Sequence, residues 1–214
     1  MLKVKTLTLG DMETNCYVLN VEGSNNAVLI DPADNYEIIE KYLKENGLII
    51  DCIILTHAHF DHIGALSEVI SGFHPLVIMN KNDYDFLSDS KLNLSSRFMK
   101  NTSISIDDNI VFVCDENKRI CDIDFRFIHT PGHTPGSMCI IAKDSIFTGD
   151  TLFYSSVGNA FPPYGNLNEE ILSIKNKLFT LDGNYICYPG HGPVTSLEFE
   201  KKNNPYLGVS NNGY

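Results

Sequence analysis

The sequence has little positive charge, and this limits the partners it can have. Lysines and arginines number 16 against 27 aspartates and glutamates, so the 214-residue chain carries a formal net charge of −11. The cations form isolated pairs such as Lys41 and Lys44 and do not cluster. Because an acidic chain without a basic cluster repels phosphate backbones, we expect a small-molecule substrate and no nucleic-acid partner.

Long apolar runs are absent as well. No run approaches the roughly 20 apolar residues that a membrane-spanning helix needs. The start, MLKVKTLTLG, alternates like a strand and does not resemble a secretory signal. The six cysteines are scattered and form no CxxC pair, which favours free thiols in the core over disulfides. We therefore expect a cytoplasmic protein that does not contact a membrane, and the sequence leaves its oligomeric state open.

No linker, repeat or low-complexity segment interrupts the chain, and we expect one domain over residues 1–214. Apolar patterns predict strands at 2–9, 16–21, 27–30, 49–55, 76–79, 110–113, 125–129, 137–142, 145–148 and 185–188. Helical spacing predicts helices at 36–46, 64–71, 81–88, 168–178 and 195–202, the last opening on a capping box at 195–198. Because strands and helices mix without strict alternation, the pattern indicates packed sheets with helices outside.

Five of the seven histidines lie in short polar segments that follow predicted strands. The segments are THAHFDHIG (56–64), TPGHTPGS (130–137), TGDTLF (148–153) and YPGHGP (188–193). Side chains on such loops can converge on one cleft, and imidazole and carboxylate are ligands for zinc, iron and related metals. A single histidine is more often structural, but the candidates here exceed one ion's needs and match two ions that share a carboxylate: His57, His59, Asp61, His62, His133, Asp150 and His191.

Other polar residues have simpler interpretations. His129 ends an apolar strand before a proline and reads as a structural histidine. Asp31, at a strand end before Pro32, is either a turn carboxylate or a partner that orients a ligand histidine. Tyr154 and Tyr164 lie beside the Asp150 segment and are candidates for lining a substrate pocket.

Together these motifs resemble the metallo-β-lactamase superfamily and, within it, the small glyoxalase II-like hydrolases. The resemblance runs from LIDPAD at 29–34 through the four segments to EKKNNPYL at 200–207. It implies an αββα sandwich of four layers, of α+β or α/β class, with metals at one edge of the two sheets. It also implies a first metal on His57, His59 and His133, a second on Asp61, His62 and His191, and Asp150 bridging them.

The sequence also departs from the glyoxalase II pattern. Asn159 stands where that group commonly has a basic residue that meets glutathione, and Phe161 stands where it has a tyrosine. Glyoxalase II enzymes also have a helical C-terminal extension that helps to hold glutathione, and we expect this chain to lack one. Asn159 and Phe161 are therefore candidates for the substrate pocket. They weaken the expectation that the substrate contains glutathione, while the candidate metal ligands are unchanged.

The function implied is hydrolysis of a thioester or similar activated acyl compound by a metal-bridging hydroxide, with Asp61 and Asp150 as catalytic residues. Two divalent metals are expected, zinc first, with iron or manganese as alternatives. A lactonase or β-lactam hydrolase would use the same site. An iron-dependent persulfide dioxygenase and a non-catalytic metal-binding protein rank lower, and His59 disfavours an oxygen-reducing diiron role because such relatives have glutamate there.

Overall fold

The computed structural model of the protein describes residues 1–100, 102–106 and 108–208. One six-stranded sheet runs in chain order: β1 (Leu2–Leu9), β2 (Thr14–Val21), β3 (Asn26–Ile30), β4 (Ile49–Ile54), β5 (Leu76–Met79) and β6 (Ile110–Phe112). The other strands are β7 (Glu116–Ile120), β8 (Ile123–His129), β9 (Met138–Ala142), β10 (Ser145–Gly149), β11 (Leu152–Phe153), β12 (Ser156–Val157), β13 (Ile186–Pro189) and β14 (Thr195–Ser196). A second six-stranded sheet has the order β14-β13-β10-β9-β8-β7, and β11 and β12 form a short ribbon.

Helices flank the two sheets: α1 (Tyr36–Asn46), α2 (Leu66–Phe73), α3 (Leu167–Ser173) with a π-helical turn at Ile174–Leu178, and α4 (Leu197–Asn203). Short 3₁₀ turns occupy Lys81–Leu87, Ser95–Phe98 and Pro205–Leu207. β3, β4 and β5 are parallel, and α1 and α2 make the crossovers between them. α1 stops at Gly47, which adopts φ 62° and donates its N–H to the last carbonyls of the helix. Among the helices of the described ranges, none has the length and apolar character of a membrane span.

Three apolar clusters divide the molecule into layers. Tyr17, Phe125 and Phe147 belong to the cluster between the two sheets, where aromatic rings supply much of the buried area. A second cluster packs α1 and α2 on the outer face of the first sheet, and a third packs α3 and α4 on the second sheet. Each sheet therefore packs on the other sheet through one face and on helices through the other, and the predicted αββα sandwich is confirmed.

Several predicted elements differ in detail. The helix predicted at 64–71 begins only at Leu66, because the preceding residues form turns of the first histidine segment. The helix predicted at 81–88 is a 3₁₀ turn, and the one at 168–178 divides into α3 and a π turn. The capping box predicted at 195–198 is wrong, since Ser196 is the N-cap and accepts from the Phe199 N–H at 3.2 Å.

Two further features were not predicted from the sequence. β7, with the polar sequence ENKRI, forms by pairing with β8 and not through any apolar alternation of its own. Cys114 is exposed and Cys121 is half-buried, so the core position expected of the cysteines is wrong for these two. All six cysteines are free thiols.

Candidate metal centre

The four polar segments meet at one edge where the two sheets face each other. They follow β4, β8, β10 and β13, so strands buried in the core fix where each segment begins. Backbone hydrogen bonds hold the segments together. Gly190 N–H donates to the Gly149 carbonyl at 2.8 Å within the second sheet, and Met138 N–H, directly after the second segment, donates to the Thr56 carbonyl at 2.9 Å between the two sheets. Residues that are distant in sequence are thereby held close together.

Three buried imidazoles form the first cluster of the centre. Nε2 of His133 lies 2.9 Å from Nδ1 of His59 and 3.2 Å from Nε2 of His57. Two nitrogens that bind one tetrahedral ion at about 2.0–2.1 Å are about 3.3 Å apart. The three ring nitrogens therefore converge at the separation that a shared cation requires.

Carboxylates and imidazoles form the second cluster. His191 Nε2 lies 3.1 Å from Asp61 Oδ2, and His62 Nε2 lies 3.7 Å from the same oxygen. Asp150 Oδ1 is 3.2 Å from His62 Nε2, while its Oδ2 is 3.6 Å from Nε2 of both His133 and His191. Asp150 thus faces both clusters, as a bridging carboxylate would.

Unpaired buried atoms show that these residues fit a metal. His62 Nε2 and Asp150 Oδ1 are buried, and neither makes a hydrogen bond of acceptable geometry. Such atoms are costly without a partner, and a cation between them would satisfy both. Gly190 adds to the fit, because a Cβ there would lie 2.2 Å from Asp150 Oδ1.

Asp31 lies behind the candidate ligand side chains and orients them. Its Oδ2 lies 2.8 Å from His62 Nδ1 and accepts the Thr56 hydroxyl at 2.6 Å, while its Oδ1 accepts the Thr56 N–H at 2.8 Å. The Thr56 hydroxyl lies in turn 3.1 Å from His57 Nδ1. A carboxylate behind a ligand histidine fixes the ring and raises its basicity, so one buried aspartate supports a histidine of each cluster.

Electrostatics divide the centre into neutral and charged parts. Burial lowers the pKa of His57 well below its usual range and lowers the pKa of His59 to about 3, and the neighbouring histidines add to both shifts. Burial opposes ionisation of Asp61, but His62 and His191 outweigh it and hold the pKa of Asp61 below its usual range. His57 and His59 are therefore neutral, as metal binding needs. Burial opposes a charge on His62, but Asp150, Asp61 and Asp31 outweigh burial and raise the pKa of His62 well above its usual range, so a metal binding there would displace a proton.

A cleft opens beside the first cluster and contains most of the predicted pocket residues. Its walls include His59 and His133, and Asn159, Phe161 and Tyr164 lie along it. Tyr154 lies elsewhere, because its ring stacks on Phe199 at a centroid distance of 5.2 Å. His129 is also outside the centre, where its Nε2 lies 2.8 Å from the Pro135 carbonyl.

Two residues near the centre were not predicted from the sequence. Asp83 is buried and accepts from the Thr134 hydroxyl at 2.7 Å and from the N–H groups of Gly136 and Ala58, so it ties together the first two histidine segments. Arg97 lines the cleft. Both lie outside the motifs, and no spacing or composition signal marks either one.

The buried carboxyl group of Glu170, in α3, should make the free energy of unfolding depend on pH. Its carboxyl group is fully buried, Oε1 accepts the Gly158 N–H at 3.0 Å, and Oε2 has no partner. Burial, with a smaller effect of Asp150, raises its pKa from 4.5 to about 8. Between these two pH values the folded protein holds a proton that the unfolded chain has released. The contribution of Glu170 to the free energy of unfolding is therefore complete below about pH 4.5 and is lost as the pH rises through about 8. The loss amounts to at most about 1.4 kcal/mol per pH unit.

The matched variant is Glu170→Gln, which keeps the shape and removes the titration. We expect the melting temperature of the unmodified protein to fall relative to that of E170Q between pH 5 and pH 8. Thermal unfolding of both proteins in one buffer series measures this difference. Parallel curves across the range would show that Glu170 does not hold a proton.

Comparison with known proteins agrees with this geometry. The sequence profile described as Metallo-beta-lactamase superfamily matches residues 9–191. Hydroxyacylglutathione hydrolase GloC of Haemophilus influenzae is 31% identical over 210 residues, which cover 96% of this chain and 98% of that protein. The solved structure of BLEG-1 B3 metallo-beta-lactamase superposes with a TM-score of 0.90 at 34% identity, covering 97% of this chain and 99% of the other. TTHA1623 in a di-iron-bound form gives 0.82 at 31% identity, covering 95% and 100%. With a family match over most of its length and relatives of this similarity, the chain belongs to the metallo-β-lactamase superfamily.

Proposed function

We propose that the protein is a hydrolase that uses two divalent metal ions to cleave a thioester or a similarly activated acyl bond. The observation that carries the proposal is the position of Asp150, whose two oxygens face His62 at 3.2 Å and His133 at 3.6 Å. One carboxylate between two imidazole clusters is the arrangement of a two-metal site. Zinc is our first expectation for the metal; the similarity to a di-iron-bound structure keeps iron as an alternative, and manganese is also compatible with the ligands.

Divalent metals at these ligands would supply hydroxide at neutral pH and would polarise the substrate carbonyl. Asp61 is ionised and accepts the Thr14 hydroxyl at 2.9 Å through Oδ2, which holds its carboxylate in one orientation. We assign to Asp61 the orientation of the attacking water. Asp31 positions His62 and, through Thr56, His57, so that the ligand rings need not reorganise during the reaction.

The chemistry of the cleft favours a thiol as leaving group. Among the described residues that line it, none is an aspartate or glutamate that could protonate a departing amine. A thiolate needs no such acid, because a free thiol has a pKa of about 8.5. The similarity to a hydroxyacylglutathione hydrolase supports the same class of bond.

We propose the class of bond that is cleaved and do not assign glutathione as the thiol half of the substrate. Asn159 and Phe161 line the cleft in place of the basic residue and the tyrosine expected of glyoxalase II-like enzymes. A neutral amide and a phenyl ring form weaker ionic and hydrogen-bonding contacts with a charged tripeptide than a basic residue and a tyrosine would. We therefore propose a thioester substrate whose thiol half is not restricted to glutathione.

A second candidate is hydrolysis of a β-lactam or a lactone. The similarity to a B3 metallo-beta-lactamase at a TM-score of 0.90 favours it, and the same ligand set would serve. None of the described residues that line the cleft is acidic, which counts against the β-lactam, because its departing nitrogen must take up a proton.

The deciding experiment is a substrate panel on metal-loaded protein, with the metal content measured on the same sample. We expect turnover of thioesters to exceed turnover of lactones and β-lactams by at least about tenfold in kcat/KM. Faster cleavage of a β-lactam or a lactone would establish the second candidate instead. Inactivity across the whole panel with both metals bound would indicate a binding protein and overturn the proposal.

A further inference from the structure

The cleft beside the first cluster has one charged wall and several apolar ones. It is a shallow cleft, and His59 and His133 of the first cluster form part of its wall. Leu92, Phe161 and Tyr164 give it apolar and aromatic surface. Arg97 is the only lysine or arginine among the described residues that line it.

The guanidinium of Arg97 is unpaired within the part of the chain that the structure describes. No ion pair among the described residues includes it, although the chain carries an excess of acidic groups. Lys100, three residues further on, is paired with Asp34 at 3.6 Å. Arg97 is exposed in the cleft, so its five N–H donors are available to a ligand.

The segment that carries Arg97 is fixed against the metal centre. The Asn93 carbonyl accepts the Phe60 N–H at 3.0 Å, and the ring of Phe98 packs on the ring of Phe60 at a centroid distance of 4.8 Å. Phe60 lies between His59 and Asp61 in the first histidine segment. Ser95, at the start of the 3₁₀ turn, is buried and donates its N–H to Asn93 Oδ1 at 3.0 Å. Arg97 is thus held at a defined place relative to the ligands.

We infer that Arg97 binds a carboxylate of the substrate in this cleft, so that the protein selects acyl compounds carrying an anionic group next to an apolar one. The inference rests on the proposed hydrolase function and narrows its substrate class. An arginine binds a carboxylate through two parallel N–H bonds, which would orient the substrate while the scissile bond lies at the metal centre. The apolar walls of the cleft would contact the rest of the substrate.

The test uses matched thioesters that differ only in a carboxylate or a carboxamide, one pair with this group on the thiol half and one with it on the acyl half. For at least one pair we expect the metal-loaded protein to prefer the carboxylate. Arg97→Gln should raise KM for that substrate by about tenfold to a hundredfold with little change in kcat, because a charge-assisted hydrogen bond is lost. The carboxamide should be unaffected, and R97K should restore part of the preference. Arg126→Gln is the control, since Arg126 is exposed on β8 outside the cleft.

Binding of the corresponding non-hydrolysable thioethers, measured by calorimetry, separates this inference from the proposed function. A carboxylate preference that R97Q abolishes supports the Arg97 site even when neither thioester is hydrolysed, in which case only the proposed function fails. Equal affinity for carboxylate and carboxamide, no detectable binding of either, or a preference unchanged in R97Q overturns the inference. In that case hydrolysis of the thioesters would leave the proposed function standing.

Discussion

Replacing Asp61 by alanine is expected to lower kcat/KM for the best acyl substrate by about 10²–10⁴-fold, the usual effect of losing a group that positions a proton in transfer. Asp61 Oδ2 lies 3.1 Å from His191 and 3.7 Å from His62, so the variant also loses one of the two carboxylates of the second cluster. We expect one metal fewer per chain. The fold should survive, because the change removes a buried charge from a group of three acidic side chains around His62.

Kinetics and metal analysis on the same preparation check this result, with circular dichroism to show that the variant is folded. Asp124→Ala is the matched control: Asp124 lies on β8, is largely exposed, and has Arg119 as its one ion-pair partner among the described residues. It should leave both metal content and activity unchanged. A folded D61A protein with full metal content and undiminished hydrolysis would exclude the role assigned to Asp61.

A second large effect is expected from adding one methyl group at Gly190. A Cβ at this position would lie 2.2 Å from Asp150 Oδ1 and 2.7 Å from His62 Cε1, so one of these ligands must move. The backbone cannot give way easily, because Gly190 accepts the Asn15 N–H at 2.7 Å and donates to Gly149. Displacing a reacting group by about 1 Å costs about 10²-fold in rate. Gly190→Ala should therefore lose metal affinity and about 10²-fold of activity.

Gly192, in the same segment, provides the control. It adopts φ 74°, and a Cβ there would meet nothing within 4 Å. Gly192→Ala should cost about 1–2 kcal/mol of stability through backbone strain and should retain the metals. Equal loss of metal in the two variants, measured by equilibrium dialysis, would show that the segment tolerates no side chain for reasons unrelated to the ligands.

The fold and the ligand set could be predicted because their signals are local. Strands such as β4 appear as nearly continuous apolar runs, and each candidate ligand lies in a short polar segment at the end of a strand. The structure brings all seven candidate side chains together, while metal binding itself stays a prediction. Asp31 was left between two interpretations, and only the 2.8 Å contact with His62 shows which partner it has.

What could not be predicted depends on contacts between distant segments. Arg97 lies in a stretch without periodicity, and its place in the cleft comes from the packing of Phe98 on Phe60. Tyr154 is close to Asp150 in sequence, but its ring stacks on Phe199 of α4. β7 is a polar strand whose existence depends on pairing with β8. In each case tertiary contacts outweigh the local preference.

The most direct test of the two-metal centre is a titration of the chelator-treated protein with zinc, following metal bound per chain and thioester hydrolysis in the same samples. We expect no turnover without metal and activity that reaches its maximum as the second ion binds. D61A should bind about one ion and stay about 10²–10⁴-fold less active than the unmodified protein. Full hydrolysis in the metal-free protein, or maximal activity with no more than one ion bound, would contradict a centre in which Asp150 joins two metals.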